Sequence, residues 1–383
     1  MADALRSIRE IMGFRLKDVA HATGIAPSSL EAFEGGTKRP STKQIINLSK
    51  YYGVKSYNIM LGKVPNDLGA KAEFRTTRNK STRFSTNGYK AFTFGKKISN
   101  FIDSVYKNVP IQFDRIILPA YQSDSPQSIA KFFTQCISFD PDQYIEDSVT
   151  PASAFNYIRA SIEMSGVSVL QSWYKHDDFR GYYFKHSNRF PTIMLHTSGW
   201  DKKSVLFTLA HEICHYLLDE EGVSTLDNGN SSEAFCNRFA AELLAPSSHI
   251  ELALNRSPYG ENSISQLVKY VSRRTLLSQY ATAIRLHELD AISTKYFKIW
   301  MASQSQFGDT KRRGGNFDEG SDFGETILPR FGYLAAKSIR DAVTSNLVDK
   351  YQVALATGIS ESMQDMLTAT AIRKISELGV ENA

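Results

Sequence analysis

His211 and His215, four residues apart with Glu212 beside the first, are the residues of this 383-residue chain whose spacing best suits chemistry. On a helix, at about 100° per residue, the two histidines project from one face roughly a turn apart. Two neutral imidazoles so placed can share a tetrahedral Zn²⁺ at about 2.0–2.1 Å each. Glu212 falls to the side of that face, poorly placed to ligate but near enough to reach a water held by the metal. Such a water, its pKa lowered towards about 7, attacks a carbonyl once a carboxylate takes its proton. Leu206, Leu209, Ile213 and Leu217 fall on the opposite face, where a core would hold them. A buried helix with two incidental histidines would show the same apolar back.

A second segment, residues 231–246, narrows the choice. Ser231 can cap a helix there, and Pro246 stops it by pushing Ala245 away from the α region. Glu233, Asn237, Ala240 and Leu244 share one face of that helix. A carboxylate beside small residues lets this helix approach the first and deliver a third ligand. Two His and one Glu leave the fourth zinc position open for water, which is the catalytic pattern.

The run Phe-Thr-Leu-Ala-His-Glu-x-x-His-x-Leu-Leu at 207–218, followed by Glu-x-x-x-Asn-x-Phe-Ala-Ala-x-Leu-Leu-x-Pro at 233–246, resembles the ImmA/IrrE metallo-endopeptidases. The resemblance implies that His211, His215 and Glu233 bind zinc and that Glu212 is the general base. It also implies a bacterial or phage-related enzyme that cleaves a partner repressor or similar regulator. Cys214 departs from the family's usual small residue, and its thiol is expected to point away from the metal. Cys236 is read as a free buried thiol rather than a ligand.

The rest of the composition fits such a protein. No run approaches a membrane span, and the charged start, Met1 to Arg6, lacks the apolar region of a secretory signal. Three cysteines are too few for a disulfide framework. A cytoplasmic location is the expectation. The net charge of +5 is uneven: residues 1–97 hold 18 Lys and Arg against 7 Asp and Glu, while the remainder hold 27 against 33. A basic front end on an acidic body points to an anionic partner for the front end.

That front end, residues 6–62, reads as short helices. Gly24 makes a turn, Pro27 opens the next helix, and Ser41 or Thr42 caps a further one carrying Ile45, Ile46, Leu48 and Tyr52. Asp18-Val19-Ala20, Gly24-Ile25, Glu34-x-Gly, Pro40 and the stretch 48–54 resemble the XRE-type helix-turn-helix. The implied recognition helix, about 27–33, places Ser28, Ser29 and Glu31 towards base edges of double-stranded DNA, with Lys38, Arg39 and Lys43 near phosphates. It lacks the Arg, Asn or Gln that reads purines with two hydrogen bonds. Docking of a protein partner, or dimerisation, is therefore the competing role for this module.

The expected fold class is a mostly helical multidomain α+β protein: an all-α helix-turn-helix, a central zincin-like α+β metallopeptidase domain and a C-terminal helical region. The expected divisions are 1–64, a basic linker and connector at 65–150, the peptidase domain at 151–300 and the helical region at 301–383. Within these, a helix is expected around 97–107 and another at 152–165. Strands are expected at 167–170, 181–184 and 191–196, the last as an edge strand that binds substrate, with His196 facing the site. Tyr216 and Arg238 are conceivable oxyanion partners. A helical tail at 264–289, a Gly/charge-rich break at 307–317 and helices at 333–343 and 351–355 complete the pattern. Two functions compete. One is a zinc endopeptidase regulating transcription, acting as a monomer or homodimer on a protein substrate; the other is a helix-turn-helix regulator or antitoxin-like protein whose zinc domain senses or scaffolds without proteolysis.

Overall fold

The computed structural model describes residues 1–11, 14–52, 54–64, 85–109, 111–119, 125–141, 150–176, 178–185, 189–220, 222–224, 231–305 and 323–380. The chain divides into two compact units, one of Met1–Phe94 with Tyr174–Phe179, the other of Gly95–Trp173 with Arg180–Ala383.

The first unit is all helical: α1 (Ala2–Ile11), α2 (Leu16–Thr23), α3 (Pro27–Glu34), α4 (Thr42–Tyr52) and α5 (Ser56–Met60), followed by the start of α6 (Thr86–Asn108). Gly24 ends α2 at φ 68°, in the left-handed region that favours glycine, and so sets the turn into α3. Ser41 and Gln44 exchange reciprocal hydrogen bonds that cap α4. Ile25, Leu30, Ile45, Leu48 and Tyr52 are buried, whereas Ile46 is exposed. A two-pronged ion pair from Arg9 to Glu34, 2.6 and 2.8 Å, ties α1 to the end of α3. The fold class expected from sequence holds: helix-turn-helix in front, an α+β body behind.

The second unit places a small sheet against helices. Its elements continue with α7 (Pro126–Cys136), α8 (Pro151–Met164), β1 (Ser168–Ser172), β2 (Gly181–Phe184), β3 (Thr192–His196), α9 (Lys202–Leu218), β4 (Gly222–Ser224) and α10 (Ser231–Leu244). The strand order is β1-β3-β2-β4, with β1 parallel to β3 and the other pairs antiparallel. Helix α9 packs on the sheet and on α8, and α10 packs on α9 and α7. One core joins Ile129 and Phe133 of α7, Ile158 and Ile162 of α8, Leu206, Leu209 and Ile213 of α9 and Phe239 and Leu243 of α10. Beyond it lie α11 (Ser247–Asn255), α12 (Ile264–Arg273), α13 (Gln279–Glu288), α14 (Thr294–Ser305), α15 (Phe323–Thr344), α16 (Lys350–Thr357) and α17 (Glu361–Leu378).

A buried charge pair ties α15 to the body. Arg159 lies 2.7 Å from Glu163 on α8 and donates to the carbonyls of Val169 and Pro329. Glu163 in turn accepts from the Leu334 amide at 2.7 Å. Gly332, at φ 82°, kinks α15 here, and a Cβ at that position would lie 2.5 Å from the Glu163 carboxylate.

Several expectations need correction. Strand β3 is interior, flanked by β1 and β2, so 191–196 offers no free edge to a substrate. All five of its residues are buried, as suits an interior strand covered on both faces. The helix expected at 97–107 begins at Thr86, and the one at 333–343 begins at Phe323. The 264–289 segment is two helices, broken after Arg273, with Ser278 capping the second. Helix α17 lies within the 301–383 region expected to be helical, as a further element beyond the two helices expected there. Residues 65–84 of the linker and the break at 307–317 lie outside the described residues. Among the described residues no helix is long and apolar enough to cross a membrane.

Candidate metal centre

Asp201 caps α9 by accepting from the amides of Lys203 and Ser204, and the helix ends at Asp219, φ 54°. Three stripes run along it. Leu206, Leu209 and Ile213 enter the core. His211 and His215 face α10 and meet Glu233. Thr208, Glu212 and Tyr216 face β2, where Thr208 and Glu212 approach Gly181 and Tyr216 packs edge-on against Tyr183. The i, i+4 spacing therefore turns the two histidines and the glutamate towards different neighbours, α10 and β2.

The three donor groups converge. His211 Nε2 lies 3.1 Å from His215 Nε2 and 3.3 Å from Glu233 Oε2, and His215 Nε2 lies 3.6 Å from Glu233 Oε1. Metal–ligand bonds of about 2.0–2.1 Å in a tetrahedron put ligand atoms about 3.3 Å apart. The observed separations bracket that value, so the set fits one small divalent ion. Among the described residues, His211, His215 and Glu233 are the group of side chains that could hold a metal, all three buried.

Electrostatics agree with a cation at this point. Burial opposes the ionisation of Glu233, but hydrogen bonds from His211 and His215 outweigh it and hold the carboxyl down to about 2. Burial likewise opposes a charged His215 ring, yet its hydrogen bonds with Cys236 and Glu233 and the charge of Glu212 raise its affinity for positive charge. The carboxylate is thus ready to ligate, and its negative charge attracts positive charge at the imidazoles.

The arrangement also includes a residue to which the sequence assigned no task. His211 Nδ1 lies 2.9 Å from Asn237 Oδ1. With that oxygen accepting, Nδ1 carries the proton and Nε2 keeps its lone pair for a metal. The signal was present: Asn237 stands four residues after Glu233, on the same face. Cys214 and Cys236 are free and buried. The Cys236 thiol is raised well above the ordinary range, first by its hydrogen bond to Cys214 and then by burial, so it stays neutral.

Other candidates fall elsewhere. The Tyr216 hydroxyl donates to the Ile116 carbonyl at 2.8 Å, and Arg238 is exposed beside Glu288 at 3.7 Å. His196 is buried at the end of β3, outside the converging group. His176 packs against Phe179 and His287 against Phe297, His249 is buried, and His186 lies outside the described residues. In the first unit Ser28 and Ser29 lie in the first turn of α3, Ser28 exposed and Ser29 half-buried. Lys38, Arg39 and Lys43 are exposed, with Lys38 over the Phe33 ring at 6.0 Å. Glu31 is exposed on the same helix.

Comparison with known families agrees with both halves. Residues 162–287 match the peptidase family model described as the IrrE N-terminal-like domain, and residues 5–57 match a helix-turn-helix model. No curated protein and no solved structure is significantly similar to the chain. The chain thus joins a helix-turn-helix segment to a segment of the IrrE N-terminal-like peptidase type. The family match and the His-His-Glu group together imply a metal ion.

Proposed function

We propose that the protein is a zinc-dependent endopeptidase that regulates transcription by cleaving a partner repressor or similar regulator in the cytoplasm. The observation that carries the reading is the near-tetrahedral spacing of His211, His215 and Glu233. In this reading the three residues hold zinc and Asn237 orients the His211 ring. When bound, the zinc supplies Lewis acidity to a water and to the scissile carbonyl. Glu212 takes the proton from the attacking water and returns it to the leaving amine nitrogen. Buried leucines and Ile213 behind α9 keep the histidine face rigid.

The division of labour follows the expected segments: 1–64 for recruitment, 65–150 as linker and connector, 151–300 for hydrolysis and 301–383 as a helical accessory region. The helix-turn-helix brings the enzyme to double-stranded DNA, with Ser28 and Ser29 at base edges and Lys38 and Arg39 at phosphates, and supports a homodimer. Glu212 favours turnover over a purely sensing or scaffolding role, since such a domain needs no base beside its ligands.

The test pairs wild type with Glu212→Gln against regulators encoded beside its gene. Wild type cleaves one of them and loses that activity to a chelator, while Glu212→Gln keeps the metal and does not cleave. Normal cleavage by Glu212→Gln would show that another group is the base. Tight operator binding with no chelator-sensitive cleavage of any regulator would favour the sensing role.

A further inference from the structure

Gly181 opens β2 and is held on both sides, paired with Leu195 of β3 and with Ser224 of β4. Its φ lies outside the left-handed region, so the strand conformation itself accepts any residue. Space is what excludes one. A Cβ at this position would lie 2.6 Å from Glu212 Oε1, 2.7 Å from Thr208 Cγ2 and 2.9 Å from Glu212 Cγ. Neither wall yields easily. Thr208 is β-branched and stiff at χ1 on a helix, and Glu212 is 0 % exposed. The helix that bears them is anchored by the fully buried Leu209 and Ile213.

We propose that Gly181 is a positioning residue: its missing side chain is the space that the Glu212 carboxylate occupies, and this fixes where the base sits relative to the histidine face. The inference rests on the reading of Glu212 as general base. A glycine within a sheet marks a close approach, and at the start of β2 that approach is made by the Glu212 carboxylate and Thr208. The metal ligands lie on a different stripe of α9, so a methyl at 181 displaces the base and leaves the ligands in place.

Two measurements test this. The first is a double-substitution cycle on unfolding, needing neither substrate nor metal and run in a Thr208→Ser protein so that the Cγ2 wall is absent from every member: Gly181→Ala with and without Glu212→Ala. Gly181→Ala costs markedly less stability when the carboxylate is gone, and if the single variant does not fold, the double variant does. An equal cost in both backgrounds, or failure of both to fold, overturns the proposal. The second uses the verified protein substrate and the zinc-loaded protein. Gly181→Ala keeps zinc and holds KM within about twofold while kcat falls about ten- to a hundred-fold, as a misplacement of about 1 Å can cause. A wild-type kcat overturns it. The two readings fail separately: a fully active Glu212→Gln ends the general-base assignment, whereas an inactive Glu212→Gln beside a fully active Gly181→Ala ends only the role of Gly181.

Discussion

The Nδ1 of His211 on one helix and the side-chain oxygen of Asn237 on the next lie 2.9 Å apart, on the far side of the imidazole from Glu233. One contact thus fixes the ring's tautomer, its rotation and the direction of its Nε2 lone pair, while α10 supplies both this orienting group and the carboxylate ligand. Asn237→Ala should weaken zinc binding by about ten- to a hundred-fold, the usual cost of losing an outer partner of a ligating histidine. Asn237→Asp, which can still accept from Nδ1, should retain most of the affinity. Competition with a chromophoric chelator measures both.

The Arg159–Glu163 pair is a buried link between the body of the second unit and its C-terminal helices. Arg159→Leu strands a buried carboxylate and should cost about 3–5 kcal/mol in urea unfolding. Burial, its largest influence, lifts Glu163 to about 7 despite the arginine. A carboxyl whose folded pKa exceeds its unfolded one is tolerated fully below about 4.5 and weakens the fold as pH rises to about 7. The loss in Arg159→Leu should therefore be larger at pH 8 than at pH 5. Equal losses at the two values would place the cost in packing instead.

Lys38 and Arg39 stand exposed in the turn after α3, where the proposed module would meet phosphates. Replacing either with Ala should weaken binding to all duplex sequences alike and reduce the salt slope of log K by about one. Gel-shift titrations over a range of salt read this, and an unchanged slope would remove that residue from the interface. Ser28→Ala should act differently, altering preference among sequences and leaving the slope alone.

The metal helix was legible because its pattern is local. His211, Glu212 and His215 declare their spacing within five residues, and the apolar back of α9 predicts its buried face. The proposed third ligand is legible because Glu233 stands on a helix that small residues let approach the first. Strand 191–196 is legible as an element but its place in the sheet is not, because the apolar Ile193-Met194-Leu195 centre does not reveal its neighbours. The tasks of Asn237, whose place on the Glu233 face is legible, and of Gly181, which carries no local signal, are hidden for a different reason. Their tasks arise only when α10 and β2 close on α9, and that is tertiary information. The kink at Gly332 has the same origin, since Glu163, which lies beside it, is more than 160 residues away in sequence.

The central claim is that His211, His215 and Glu233 hold one divalent ion with a position left for solvent. Metal analysis of purified wild type and Glu233→Ala, with helicity monitored alongside, tests it most directly. One zinc per wild-type chain is expected, and little or none in a Glu233→Ala protein that stays folded. A folded Glu233→Ala protein that binds zinc as tightly as wild type would contradict it.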